Sequence, residues 1–151
     1  MSTGSHPDQA REFLARHPEL RHVQLMQTDL NGILRGKSVQ RAELERIYTE
    51  GLPLPSSIAA LTADGDDAEN TGLLWDIGDM DCLAWPLPGT LVPTPWLKTP
   101  TAQVLMMFDP VLGGPAAAAD PRLAAQRVIS LLEQDGYTPV KGAEEADLVL
   151  L

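Results

Sequence analysis

The residues with the most chemical potential in this chain are acidic and crowded. Asp64, Asp66, Asp67, Glu69, Asp76, Asp79 and Asp81 fall within one stretch, and no Lys or Arg occurs from Asp64 to Leu97. Carboxylates packed this densely can do one of three things. They can be a solvated loop, a patch that docks against a basic surface, or a site for a hard cation. The spacing lacks the D-x-D-x-D-G…E order of a calcium loop. Cys82 is the only cysteine, so one chain can build neither a disulfide nor a cysteine-based zinc site, which fits a reducing compartment. His6, His17 and His22 match neither a triad nor a metal set and read as surface residues. Trp75, Trp85 and Trp96 read as core or interface packing rather than a substrate cage.

Composition narrows the partners. The 151 residues carry a formal net charge of −10, which disfavours nucleic acid and anionic membranes. Seven of the eleven basic residues lie between Arg11 and Arg46, away from the acidic stretch. An apolar fraction of 44% supports a packed core. The N-terminus lacks the basic-then-apolar pattern of a secretory signal, and no apolar run approaches the ~20 residues of a membrane span. A cytoplasmic location is the simplest expectation, with no nucleic-acid or membrane partner.

The elements that must position these residues begin with a β-hairpin over Val23–Val39. Val23 and Leu25 share one face, and Asn31-Gly32 supplies the positive φ angles of a tight turn. Asp8–Arg16 predicts a helix with Phe13 and Leu14 inward. Gln40–Glu50 predicts a second, with Leu44, Ile47 and Tyr48 at helical spacing and Gly51 as its stop. A helix lying across a hairpin and feeding further strands is the start of a β-grasp layout. Pro53 and Pro55 exclude Leu52–Ser57 from a central strand. Ser57–Leu61 reads as a short strand or a turn. Leu73–Ile77 and Cys82–Trp85 read as short strands. Prolines from Pro86 to Pro100 mark a stiff connection. Thr101–Phe108 is a strand apolar enough for burial on both faces. Residues 111–119 read as a linker. Asp120 then caps a helix that starts at Pro121, with Leu123, Ala124, Val128, Leu131 and Leu132 as its inward face and Gly136 as its end. Leu148–Leu151 reads as an apolar strand, like the edge of a larger sheet.

Several segments, in order, resemble the N-terminal part of the glutamine synthetase family. They are TDLNGILRGKSV (28–39), the Gly51–Ala60 stretch with PSSIAAL (55–61), ENTGLLWDIGDMDC (69–82), PLPGTLVPTPW (86–96), TAQVLMMFD (101–109) and DPRLAAQRVISLLEQDGYTPV (120–140). The likeness is greatest to the glutamate–amine ligase branch, the γ-glutamylpolyamine synthetase-like enzymes. It implies an α+β fold, a β-grasp domain followed by the first helix and strand of a glutamine synthetase-type catalytic domain. The expected divisions are an N-terminal leader and helix (1–21), the β-grasp domain (22–112) and the incomplete start of the catalytic domain (113–151).

The resemblance implies an ATP-dependent ligase of nitrogen metabolism that joins glutamate to ammonia or an amine, with Mg or Mn. A carboxylate is a poor acceptor; phosphorylation gives it a leaving group, and metal neutralises the phosphate charge. It also implies a ring-shaped homo-oligomer in which this domain completes the neighbouring subunit's active site. Ammonia-using relatives carry Asp-Gly-Ser-Ser. Here the tetrapeptide is Leu54-Pro55-Ser56-Ser57, which points to a bulkier or more apolar amine. Ser56, Ser57 and Asp79 are the expected substrate-side residues across the subunit boundary. The family's Glu-x-Glu metal strand falls on 142–148. One register uses Glu144; the other uses Glu145 and Asp147, which would share a strand face and could reach one hard cation. No catalytic residue is assigned. Two readings stand: the N-terminal portion of such a ligase, inactive and without cofactor when alone, or a non-catalytic β-grasp module that docks onto a full-length glutamine synthetase-like subunit.

Overall fold

The computed structural model describes residues 6–140. Helix α1 (Pro7–Arg16) starts at a proline, whose fixed φ suits the first turn, and buries Ala10, Phe13 and Leu14. It is followed by β1 (His22–Thr28) and β2 (Leu34–Gln40), paired antiparallel from His22↔Gln40 to Thr28↔Leu34. The predicted hairpin is therefore present. Its turn is wider than a two-residue Asn-Gly link: Asp29 N–H donates to the Ile33 carbonyl at 2.9 Å, and of the turn residues Gly32 alone has positive φ, +76°.

A 3-10 turn at Arg41–Glu43 leads into α2 (Leu44–Glu50). Leu44, Ile47 and Tyr48 form its buried stripe, and Gly51, at φ +75°, closes it. Each such aliphatic side chain contributes about 1.5–3 kcal/mol by leaving water. Next come β3 (Leu52–Pro55), β4 (Asp81–Pro86), β5 (Val92–Pro93) and β6 (Thr101–Phe108). The sheet order is β2-β1-β6-β4-β3, with β5 also on β6. β1 and β6 run parallel, and the other pairs are antiparallel. This is a mixed α+β fold. β6 lies at the centre, as its apolar sequence predicts, and Ala102, Val104, Met106, Met107 and Phe108 are all buried. β3 is an edge strand, where Pro53 and Pro55 need no donor on the open side.

Four expectations change. Leu73–Ile77 is not a strand. Asn70, Gly72, Gly78 and Asp79 all have positive φ and keep turning the chain back, although Leu73 and Leu74 are buried. The 111–119 segment is not only a linker. Its alanines, the best helix formers, make α3 (Gly114–Ala119), which packs on β4 and on the 3-10 turn Ser56–Ala60. Helix α4 (Pro121–Gln134) begins where expected, but of its predicted inward face only Leu123 is buried; Val128 and Leu131 are 44% and 60% exposed. Trp75 and Trp96 are exposed in the chain and so are not core residues, while the three histidines are partly exposed, with the His17 ring 4.5 Å from that of Phe13. The apolar 148–151 segment lies outside the described residues. Among the described residues, no helix is long and apolar enough to cross a membrane.

Candidate functional site

The site grows from the end of β3. After Pro55 the chain enters the 3-10 turn Ser56–Ala60, left open above between strand and turn. Ser56 is buried. Its N–H donates to the Met80 carbonyl at 3.0 Å, and its hydroxyl donates to the Leu73 carbonyl at 2.5 Å. Asp79 arrives from the far end of the acidic stretch. Its Oδ1 accepts the Ser57 N–H at 2.9 Å and lies 3.4 Å from Ser56 Oγ. Asp79 stands at φ +48°, a left-handed conformation that Asp and Asn tolerate better than other side chains. Its own N–H donates to the Leu74 carbonyl at 2.9 Å. Three residues singled out by sequence thus meet in space across more than twenty positions. Asp79 Oδ2 has no hydrogen-bond partner among the described residues.

Leu54 is 2% exposed, inside β3. It packs in the core and offers almost no surface to a ligand. The inference from Leu54 to a bulkier amine therefore has no support in the geometry.

Sequence reasoning missed a second cluster next to this one. Asp29, fully buried at the hairpin tip, accepts through Oδ1 from the N–H groups of Asn31 (2.9 Å) and Ile33 (2.8 Å). Its Oδ2 accepts from Arg35 Nε at 2.9 Å. Burial opposes ionisation of Asp29, but the Arg35 hydrogen bond and the two N–H groups win and hold its carboxyl below the usual aspartate range. Arg35 Nη2 donates to the carbonyls of Thr62 (2.8 Å) and Ala63 (3.2 Å). Leu30 N–H donates to the Ala59 carbonyl, and Asn31 Nδ2 to the Leu61 carbonyl. The signal for Asp29 was in the sequence, as an Asp three positions before a turn glycine is a common side-chain cap for turns. A third cluster fixes the start of α4. Asp120, also fully buried, accepts from Gln27 Nε2 (3.1 Å), Phe108 N–H (2.9 Å) and Arg122 N–H (2.8 Å).

The acidic stretch does not form a metal site. Among the described residues, no three His, Cys, Asp or Glu side chains converge as ligands. Glu144, Glu145 and Asp147, assigned to metal by the resemblance, lie outside the described residues.

No family model matches the chain. The γ-glutamylputrescine synthetase PuuA of Escherichia coli K12 is 29% identical over 136 residues, covering 90% of this chain. The chain is homologous to that synthetase. It spans 28% of the synthetase's length. Among solved structures, GmaS in complex with ADP aligns over 86% of this chain and 26% of its own, with a TM-score of 0.61 and 22% identity. At that identity the likeness is one of fold, and it covers the β-sheet and helices described above. The sequence resemblance and the homology agree on the glutamate–amine ligase branch.

Proposed function

We propose that this chain is the N-terminal, acceptor-side portion of an ATP-dependent glutamate–amine ligase of glutamine synthetase type, and that it does not turn over by itself. The observation that carries this reading is the homology to γ-glutamylputrescine synthetase over 136 residues, 90% of the chain. In this reading residues 22–112 are the β-grasp domain and 113–151 open the catalytic domain. Uncovered Val128, Ile129 and Leu131 on α4 support that division, because a 14-residue helix with only Leu123 buried lacks an apolar neighbour among the described residues.

The residues of this chain would serve the acceptor. Asp79 spends Oδ1 on the Ser57 N–H, which fixes the carboxylate, and can offer Oδ2 to the ammonium form of an incoming amine. Ser56 holds the loop that carries Asp79 through the Leu73 carbonyl. Ser57 contributes its N–H as the orienting donor. ATP and divalent metal would supply activation of the glutamate carboxylate as a γ-glutamyl phosphate. Glu144 in one register, or Glu145 and Asp147 in the other, would be the acids that face the metal. The acceptor amine follows the relative, whose product name points to a polyamine; ammonia is the smaller alternative. Assembly as a homo-oligomer, with this edge facing a neighbouring subunit, completes the proposal.

Two experiments test it. The purified 151-residue chain, given ATP, Mg, glutamate and putrescine or ammonia, is expected to release no ADP above the blank; steady turnover would overturn the claim of inactivity. Translation of the encoding DNA past Leu151 is expected to continue for several hundred codons. A stop codon there, with the chain co-eluting with a full-length relative on sizing, would favour the docking-module reading instead.

A further inference from the structure

The 3-10 turn Ser56–Ala60 is held at both ends, and only one end belongs to the site just described. At its start, Asp79 Oδ1 takes the Ser57 N–H and Ser56 holds the Leu73 carbonyl. At its finish, the hairpin tip takes the carbonyls of Ala59, Leu61, Thr62 and Ala63. Arg35 is the hub of that grip. One guanidinium binds the buried Asp29 carboxylate and reaches two successive loop carbonyls, and Gly65 lies so close that a Cβ there would stand 3.2 Å from Arg35 Nη1. Arg35 also lies at the root of the stretch from Asp64 to Asp81, which contains no cation of its own.

We propose that Arg35, paired with Asp29, is a positioning residue for the acceptor edge: it fixes the far end of the Ser56–Ala60 turn and thereby the Ser57–Asp79 contact. This rests on the reading of Ser56, Ser57 and Asp79 as that edge. The physical argument is short. A five-residue 3-10 turn has poor internal hydrogen bonding and keeps its shape through outside partners. Released at 59–63, the turn can unwind toward its start, and Ser57 N–H then leaves Asp79. Arg35 does this better than lysine would, because a planar fork can bind a carboxylate and two carbonyls together.

Hydrogen exchange on the full 151-residue chain tests this without requiring turnover, so the result is independent of whether the ligase reading holds. In Arg35→Ala, exchange at the Ser57 amide is expected to rise about tenfold or more together with the 62–66 amides, while the β6 core amides of Val104 and Met106 keep their rates. Arg35→Lys keeps a cation beside Asp29 and is expected to bring Ser57 to within about threefold of the parent. Loosening of 62–66 with Ser57 unchanged would overturn the proposal. So would equal acceleration at Ser57 and in β6, in either variant, which would make Arg35 a residue of the fold alone. If Arg35→Ala fails to fold, Asn31→Ala, which removes only the Leu61 carbonyl contact, takes its place. It is expected to speed Ser57 exchange with β6 unchanged, and an unchanged Ser57 would overturn the proposal.

Discussion

Replacing Asp120 with alanine is the most informative single perturbation of this fold. The carboxylate is fully buried and accepts three hydrogen bonds, from Gln27 Nε2, Phe108 N–H and Arg122 N–H. Alanine can accept none of them. Loss of the α4 cap costs about 1 kcal/mol. Orphaning the Phe108 N–H, and leaving the Gln27 amide only a long 3.4 Å contact to the Thr28 carbonyl, costs about 1–3 kcal/mol each, moderated by relaxation around the smaller side chain. The expected total is about 3–4 kcal/mol, a large share of the roughly 5–15 kcal/mol by which domains are stable. In Asp120→Asn the amide must set its NH2 against one of the three donors, and the expected loss is about half as large. Urea unfolding followed by circular dichroism measures both, as a lowered midpoint with an unchanged slope. A loss below about 1 kcal/mol for Asp120→Ala would refute the claim that this carboxylate joins α4 to β1 and β6.

Other outcomes follow from the same geometry. Asp29 gives up its proton more readily in the folded chain than in the unfolded one. Its stabilisation is therefore complete above the ordinary aspartate value of about 3.9 and is lost as pH falls through the lower folded value; Asp29→Asn should flatten that acid limb in pH-dependent melting. The Tyr48 hydroxyl is buried with no partner among the described residues, and burial pushes its ionisation up; Tyr48→Phe should leave stability unchanged or raise it by about 1 kcal/mol at neutral pH, and should remove a loss of stability above about pH 10. A Cβ on Gly36 would run into the Leu25 carbonyl of β1, so Gly36→Ala should cost about 2 kcal/mol in the same urea assay. Trp75 is 78% exposed, and Trp75→Ala should change stability by less than about 0.5 kcal/mol.

Elements whose causes are local were legible in the sequence. The hairpin, α1, α2 and the start of α4 follow from side-chain period, from Gly51 and Gly32 at positive φ, and from the Asp120 cap. β6 showed through its unbroken apolar run, and Pro53 and Pro55 ruled β3 out of the sheet centre, where it is indeed not found. What failed depended on contacts distant in sequence. Leu73 and Leu74 are apolar because they are buried under a loop, not because they pair with a strand. The alanines of α3 are small enough to pack on β4, a fact no linker-like composition reveals. At the site, Ser56, Ser57 and Asp79 were assigned by resemblance, and their meeting depends on Asn70, Gly72 and Gly78 folding the loop back. The pairing of Arg35 with Asp29, six residues away and hidden in the turn, depends on the fold of the hairpin tip and was missed.

The central claim is that this chain supplies the acceptor side of a glutamate–amine ligase. The most direct measurement grafts residues 22–140 in place of the aligned segment of the E. coli γ-glutamylputrescine synthetase and follows ADP release with glutamate, ATP and putrescine. A hybrid that assembles like its parent should turn over, and Asp79→Ala within the graft should lower that rate by about tenfold or more, as loss of a charge-assisted contact to the amine requires. A hybrid that assembles and binds ATP but shows no amine-dependent turnover, or one indifferent to Asp79→Ala, would contradict the account.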